Sequence, residues 1–248
     1  NLPPGAALMC ASAGNFGQAM AYACRKHGVP LTVYAAETAN PLKIDRMRAM
    51  GAEVALAGDD FDAAKGHARA HAALDGIRFV EDSRDPEPTE GAGTMALEWL
   101  DFPERLDALL IPLGNGAMLA GMATVIKARL PGTRVVAVAA SGAPAMVESL
   151  RSGQMVTHER IDTIADGIGV RLPVPEALAD LNGLVDEFIL VPDELIVAAM
   201  RLLHRHAGLV AEPSGAVGLA GVTREPARFR GETVGTVICG GNLTPEQM

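Results

Sequence analysis

The sequence lacks an excess of positive charge and any long hydrophobic run, and each absence excludes a class of partner. Its 248 residues carry 21 lysines and arginines against 30 aspartates and glutamates, a net charge of −9 at pH 7. Nucleic acids and anionic membrane surfaces bind basic faces, so we expect neither as a partner. No apolar run reaches the roughly 20 residues that cross a bilayer, so no transmembrane helix is expected.

Cysteines are also few, and they show no pattern of disulfides or metal ligands. Cys10, Cys24 and Cys239 are an odd set without either kind of spacing. Such usage is typical of a reducing compartment, so we predict a cytoplasmic protein. His67 and His71 lie one helical turn apart without an acidic partner, which indicates a solvated helix face. We therefore predict no metal site.

The residues that are present predict an α/β fold. Hydrophobic residues make up 49% of the chain, enough for a large core. Short apolar runs alternate with helical segments from Ala6 onwards, and this alternation predicts parallel sheets with helical crossovers.

One stretch carries the clearest functional signal. Leu109–Leu113 is a continuous apolar run, typical of a strand that is buried on both faces. Gly114 and Gly116 follow, and Ala117–Arg129 has good helix propensity. A strand, a glycine turn and a helix start together aim backbone N–H groups and the positive end of the helix dipole at one point. This arrangement predicts an anion site, with a phosphate as the usual occupant.

Two common phosphate motifs do not match this turn. A dinucleotide fingerprint needs a third glycine where Leu119 stands, and an acidic residue after the strand Arg134–Ala139, where there is none. A P-loop needs a lysine that is also absent. A tight turn without a ligand therefore remains an alternative at this point.

Two further polar or glycine-rich turns follow predicted strands. Ser12–Gly17 comes after the strand Ala6–Ala11, and Cys239–Asn242 comes after the strand Thr233–Ile238. Because parallel strands end at one shared edge of a sheet, where ligands bind, three such turns favour a binding site. The irregular segment 154–175 is of the kind that forms a site loop.

These three turns and three other motifs resemble the pyridoxal-phosphate enzymes of the tryptophan-synthase-β fold (fold type II), in the threonine/serine dehydratase branch. The motifs are Ser12-Ala13-Gly14-Asn15, Gly91-x-Gly93-Thr94-x-Ala96-Leu97-Glu98, the Gly114 turn, Thr163-Ile164-Ala165-Asp166-Gly167, Glu212-Pro213-Ser214-Gly215-Ala216 and Cys239-Gly240-Gly241-Asn242. The resemblance implies two lobes, each a mostly parallel twisted sheet flanked by helices, with the site between them. We expect residues 7–84 in the small lobe, and residues 1–6 and 85–248 in the large, cofactor-binding lobe.

The resemblance also implies roles for individual residues. The cofactor phosphate is expected on the backbone amides of Gly114, Asn115, Gly116, Ala117 and Met118. The ring hydroxyl is expected on Asn15, the pyridine nitrogen opposite Cys239, and the substrate carboxylate on Ser12, Ala13, Gly14 and Asn15. Asn115 and Ala117 depart from the family's glycines, and Phe16 stands where a histidine is common.

Each of these roles has a plainer alternative. Ser12 and Asn15 could simply cap a helix, and Cys239 could be a small buried hydrophobe. Glu212 could be a carboxylate near the ring or a polar residue before a helix. In the functional interpretation, a thiol of pKa about 8.5 is a poor proton source for the ring, which favours prompt loss of a β-substituent.

The Schiff-base lysine of the family precedes the Ser12 motif by a few tens of residues, so we expect it upstream of Asn1. None of the four lysines in the sequence fits that role. Lys26, Lys65 and Lys127 fall in the middle of predicted helices, and Lys43 is predicted on a helix that packs outside the site.

The resemblance implies a lyase of amino-acid metabolism that dehydrates and deaminates L-threonine or L-serine to a 2-oxo acid and ammonia. The alternatives are another fold-type-II reaction (a racemase, another ammonia-lyase or a threonine-synthase-like enzyme) or a lysine-less, non-catalytic binding protein. A homodimer or homotetramer that acts on a small amino acid is expected.

Overall fold

A computed structural model describes residues 2–12 and 14–243. In that part the chain forms eight strands and nine α-helices, arranged as two compact units. The first unit runs as far as Glu81 and also takes in Asn242 and Leu243, and the second comprises Asp82–Gly241. The lobe boundaries given by the resemblance stay a prediction.

The first unit is a four-stranded parallel sheet with helices. The strand order is β3-β2-β1-β4, and every pairing is parallel. Its elements are β1 (Leu8–Ala11), α1 (Asn15–His27), β2 (Leu31–Ala35), α2 (Pro41–Ala49), β3 (Glu53–Leu56), α3 (Phe61–Asp75) and β4 (Arg78–Val80).

The second unit repeats this architecture with a longer chain. Its parallel strands follow the order β7-β6-β5-β8. Its elements are α4 (Pro86–Glu98), β5 (Ala108–Pro112), α5 (Ala117–Arg129), β6 (Arg134–Ala140), α6 (Ala145–Ser152), α7 (Pro175–Leu181), β7 (Glu187–Val191), α8 (Asp193–Ala207), α9 (Pro213–Arg224) and β8 (Val234–Thr236), with short 3₁₀ turns at Trp99–Asp101 and Asp166–Ile168. Two parallel four-stranded sheets with helices confirm the predicted fold class.

Strand β5 is buried on both faces, as its continuous apolar run predicts. Leu109 and Ile111 pack in one core cluster with residues of α5. Leu110 points the other way, into a second cluster that includes Val217 of α9. Because alternate residues of a strand face opposite sides, helices cover both surfaces of this sheet, and each fully buried side chain contributes roughly 1.5–3 kcal/mol.

Helix α4 extends well before the stretch that the sequence marks as helical. We expect Thr94–Leu100 to belong to a helix, and α4 runs from Pro86 to Glu98, with Leu100 in the 3₁₀ turn that follows. Prolines 86 and 88 mark a break in the pattern, but the first turn of a helix tolerates proline because its N–H groups lack intrahelical partners.

Two features of the loop region also differ from expectation. Helix α7 begins at Pro175, the end of the segment predicted to be irregular. We expect Asp193 to cap α8, but Asp193 is its first helical residue, and its carboxylate accepts hydrogen bonds from Thr163 Oγ1 (2.6 Å) and the Ile164 N–H (2.9 Å). Asp193 therefore fastens the Thr163–Gly167 motif to α8.

No helix in the described ranges, 2–12 and 14–243, is both long and apolar enough to span a membrane.

Candidate functional site

The turn after β5 exposes a row of backbone donors. Helix α5 begins at Ala117 with Gly116 as its N-cap, and its first turn carries no acidic residue. Within the described part of the chain, the amides of Gly114, Asn115, Gly116 and Met118 make no hydrogen bond. These donors lie at the positive end of the helix dipole, so the turn has the chemistry of an anion site.

Glycine fits closely at both ends of this turn. Gly116 has φ +110°, a conformation that side chains rarely allow. A Cβ on Gly114 would lie 3.1 Å from the Ile168 Cα and 3.3 Å from the Gly167 carbonyl oxygen. The Asp166–Ile168 turn therefore packs directly on the backbone of the predicted phosphate turn.

A neighbouring segment engages two residues of the same turn. The Ala117 N–H donates to Ser83 Oγ at 2.9 Å, so this predicted phosphate donor already has a partner. Asn115 Nδ2 donates to both carboxylate oxygens of Asp82, each at 3.2 Å. Asn115 Oδ1 is buried, and no described residue donates a hydrogen bond to it.

Cys239 follows strand β8, at the edge of the sheet where the turn after β5 also begins. Strand β8 lies beside β5 in parallel register, with Leu110 opposite Thr236, so the residues that follow each strand emerge together. Burial, and then the nearby Glu212 carboxylate, raise the pKa of the Cys239 thiol to about 11. The thiol therefore keeps its proton at neutral pH, and the Glu212 carboxylate is close enough to contribute.

Helix α9 begins beside the Cys239 turn. The Glu212 N–H donates to the Gly240 carbonyl at 2.9 Å, and Glu212 is the N-cap residue of α9. Glu212 is therefore a polar residue at the start of a helix, one of the two interpretations from the sequence, and its place near the cofactor ring stays a prediction.

Ser214 is a residue of this region to which the sequence assigned no role. It is 3% exposed, and its Oγ makes no hydrogen bond with any described residue. A Cβ on Gly167 would lie 2.8 Å from that oxygen, and the Ser214 carbonyl lies 3.9 Å from Cys239 Sγ. Gly167 and Ser214 thus connect the Gly114 turn to the Cys239 turn within the second unit.

The sequence contained signals for some of these residues only. Ser214 lies in a motif that we single out, although without a function of its own. Asp82 and Ser83 lie in no motif, and their contacts reach across 33 and 34 residues, so no local pattern identifies them.

In the first unit, the Ser12 turn begins α1. Ser12 is buried, and its Oγ accepts hydrogen bonds from the Gly17 N–H (2.8 Å) and the Gly14 N–H (3.2 Å). These contacts are those of a helix-capping hydroxyl, the alternative that the sequence left open, and its predicted role toward a carboxylate stays a prediction. Ala13 lies outside the described residues.

Asn15 is the first residue of α1 and belongs to a polar cluster. Its Oδ1 accepts a hydrogen bond from Asn242 Nδ2 at 2.5 Å. Asn242 also accepts hydrogen bonds from Arg46 Nη1, and through its carbonyl from Asn40 Nδ2 at 3.4 Å. The last residue of the Cys239–Asn242 motif is therefore a neighbour of the Ser12 turn.

The prediction that Lys43 lies outside the site is wrong. Lys43 is 2% exposed, and its Nζ lies 3.9 Å from the position that a Cβ on Gly14 would take. Met47 lies four residues later and is buried, so Lys43 shares the inward face of α2. A buried ammonium group therefore stands beside the turn where a substrate carboxylate is predicted.

The residues of the second unit fit two parts of pyridoxal phosphate. The turn after β5 offers amide donors for the phosphate, and Cys239 offers a neutral thiol for the ring nitrogen. Lys127 is the one lysine of that unit, and it pairs with Asp186 about 15 Å along α5 from its first turn, too far to reach the site.

Among the described residues, no three His, Cys, Asp or Glu side chains are grouped so that they could hold a metal ion. His71 bonds to the Tyr34 hydroxyl (2.8 Å) and to Asp75 (3.0 Å) within the first unit.

Comparisons with known proteins identify the family of the chain. The family model for pyridoxal-phosphate dependent enzymes matches residues 2–240. An L-threonine ammonia-lyase of Geobacter sulfurreducens is 37% identical over 237 residues, which are 95% of this chain and 59% of the relative. The chain thus spans less than two thirds of the length of this relative.

Solved structures are similar over nearly the whole chain. The processed form of threonine deaminase isoform 2 from Solanum lycopersicum has a TM-score of 0.91 and 31% identity, over 100% of this chain and 74% of that one. A pyridoxal 5'-phosphate-dependent aspartate racemase has a TM-score of 0.90 and 30% identity, over 98% of this chain and 76% of that one. With the family model over 2–240, these matches establish that the chain belongs to the pyridoxal-phosphate dependent enzymes.

Proposed function

We propose that the protein is a lyase that dehydrates and deaminates L-threonine or L-serine, with release of a 2-oxo acid and ammonia. The proposal rests on the threonine ammonia-lyase and threonine deaminase relatives, together with the Cys239 thiol at the edge of the second sheet. That thiol is the observation that favours elimination over other reactions of this family.

Pyridoxal phosphate supplies an electron sink for charge that develops at the α-carbon of an amino acid. Its strength depends on the protonation of the ring nitrogen. The Cys239 thiol has a pKa of about 11 and keeps its proton at neutral pH. It can therefore form only a neutral hydrogen bond with the ring nitrogen and is too weak an acid to protonate it. A weak sink shortens the life of charge at the α-carbon, and loss of the β-hydroxyl then competes well with reprotonation.

The other predicted site residues are proposed to bind and orient the cofactor and the substrate. The free amides of Gly114, Asn115, Gly116 and Met118 are proposed to hold the phosphate, and Asn15 the ring hydroxyl. The start of α1 at Ser12–Asn15 is proposed for the substrate carboxylate, with the Lys43 ammonium beside it. Removal of the α-proton is proposed for the Schiff-base lysine that the resemblance implies.

A second candidate is a racemase on the same scaffold. The aspartate racemase structure is about as similar to this chain as the threonine deaminase structures are. Racemisation needs the same cofactor and differs only in the fate of the α-carbon. Product analysis separates the two reactions.

The test is an assay of purified full-length protein, with its cofactor, on L-threonine, L-serine and L-aspartate. We expect 2-oxobutyrate from threonine, or pyruvate from serine, in a 1:1 ratio with ammonium. Protein from which the cofactor has been dialysed serves as the control. Formation of D-amino acids without any 2-oxo acid would establish the racemase, and binding without turnover would establish a non-catalytic protein.

The remaining expectations rest on the resemblance. A homodimer or homotetramer, a cytoplasmic location and activity on serine as well as threonine are part of the proposal. Size-exclusion chromatography with light scattering measures the first, and the substrate panel measures the third.

A further inference from the structure

Asn115 poses a steric problem in the predicted phosphate turn. The resemblance places a glycine at this position, where a side chain would share the space in front of the free amides. Asparagine is also a strong helix-capping residue, whose Oδ1 accepts from backbone N–H groups just ahead of it. An unrestrained Asn115 would therefore satisfy the Ala117 or Met118 amide itself and exclude an anion.

The structure shows what keeps Asn115 from doing so. Its Nδ2 is bound by both oxygens of Asp82 at 3.2 Å, within the second unit. Its Oδ1 stays buried without a donor among the described residues, so the side chain forgoes the capping contact. A buried acceptor without a partner is unfavourable and persists only where other contacts impose it.

Asp82 is in turn held by its neighbour. Ser83 is 2% exposed, has φ +69°, and binds the Ala117 N–H through its Oγ at 2.9 Å. Among the described residues, Ser83 is the one non-glycine residue with positive φ. Such backbone strain is found where surrounding contacts fix a segment, often at functional sites.

We propose that Asp82 is a positioning residue of the phosphate site, which holds the Asn115 side chain clear of the amides that bind the phosphate. Ser83 anchors Asp82 against the start of α5. The Asp82–Asn115 pair thereby performs the role that glycine performs elsewhere in the family. This inference rests on the proposed function, because it needs a phosphate at the Gly114–Met118 turn.

The test is a double-mutant cycle read by binding rather than by activity. Pyridoxamine 5'-phosphate cannot form an imine with a lysine, so its affinity for the full-length protein reports non-covalent contacts alone. Unphosphorylated pyridoxamine is the matched ligand. Isothermal titration is done with the native protein, Asp82→Ala, Asn115→Gly and the double variant.

We expect Asp82→Ala to weaken binding of pyridoxamine 5'-phosphate about tenfold, as for the loss of a hydrogen bond to a charged group. In the Asn115→Gly background the same change should weaken binding by less than about twofold, because no side chain is left to position. Pyridoxamine should bind equally to Asp82→Ala and to the native protein.

Two further variants keep the test decisive. Asp82→Asn retains an acceptor oxygen and should bind pyridoxamine 5'-phosphate at least as tightly as the native protein, which also covers the case in which Asp82→Ala fails to fold. Asp180→Ala, on the exposed face of α7, is the control for loss of a carboxylate.

The outcomes separate the two claims. The positioning role is overturned if Asp82→Ala lowers the affinity for pyridoxamine 5'-phosphate equally with Asn115 and with Gly at position 115. It is also overturned if Asp82→Ala lowers the affinity for pyridoxamine as much as that for pyridoxamine 5'-phosphate. Either result leaves the proposed function standing. Failure of the native protein to bind pyridoxamine 5'-phosphate at all overturns both.

Discussion

At the scale of single residues, the proposed chemistry depends on Cys239. The sequence identified it at the end of a strand but allowed a purely hydrophobic role. The structure places it near Ser214 and the Glu212 carboxylate, where burial and negative charge both oppose loss of the thiol proton. The residues that bury Cys239 and the Glu212 carboxylate that lies near it are distant from Cys239 in the sequence. The raised pKa of its thiol could therefore not be predicted from Cys239 and its sequence neighbours.

The raised pKa predicts a loss of stability at alkaline pH. The folded protein keeps the Cys239 proton up to about pH 11, whereas the unfolded chain releases it near the pKa of an unperturbed thiol, about 8.5 to 9.0. Stability from this group is therefore complete below about pH 9 and is lost as the pH rises towards 11, by up to about 1.4 kcal/mol per pH unit. Urea unfolding from pH 7 to 10.5 measures this for the native protein and Cys239→Ala.

The quantity to compare is the slope of the free energy of unfolding against pH, because truncation of the Cys239 side chain also changes stability at pH 7. The native protein should lose free energy of unfolding more steeply than Cys239→Ala above about pH 9. Parallel pH profiles for the two proteins would show that the thiol titrates normally.

Lys43 and Asn115 differ in how well their contacts could be predicted from the sequence. Lys43 lies four residues before the buried Met47, so helical periodicity alone could have placed it inward. For Asn115 no such signal exists, because its partner Asp82 is brought to it only by the packing of the second unit.

At the scale of elements, close contact between helices α4 and α5 depends on glycine. A Cβ on Gly121 would lie 2.1 Å from the Thr89 carbonyl oxygen and 2.7 Å from the Gly93 nitrogen. These are backbone atoms, which cannot move aside without moving α4. Gly66, in the middle of α3, has open space around its Cβ position.

The same substitution should therefore act in opposite directions in the two helices. Gly121→Ala should destabilise the protein by about 2 kcal/mol or more, because α4 and α5 must separate. Gly66→Ala should stabilise it by roughly 0.5–1 kcal/mol, because alanine is the better helix former. Urea unfolding of both variants measures this, and a shift of the same sign in both would contradict the packing described here.

Elements with strong periodicity could be predicted from the sequence, and those set by packing could not. Helix α5 has the limits that its composition predicts, Ala117–Arg129. The beginning of α4 did not follow from its pattern, because Gly91 and Gly93 lower helix propensity and the contact with Gly121 of α5 compensates.

At the scale of the whole molecule, the order of strands and turns carried the family assignment. Each motif was weak alone, but parallel strands bring the turns after β5 and β8 to one edge in the second unit. Contacts between distant positions were beyond prediction. Asn242 bonds to Asn15 across 227 residues, and no local pattern signals that pairing.

The most direct test of the account is a crystal structure of the full-length protein with pyridoxal 5'-phosphate. We predict phosphate oxygens within hydrogen-bond distance of the Gly114, Asn115, Gly116 and Met118 amides, and the ring nitrogen opposite Cys239 Sγ. A phosphate bound elsewhere, with those amides facing only water, would contradict the central claim.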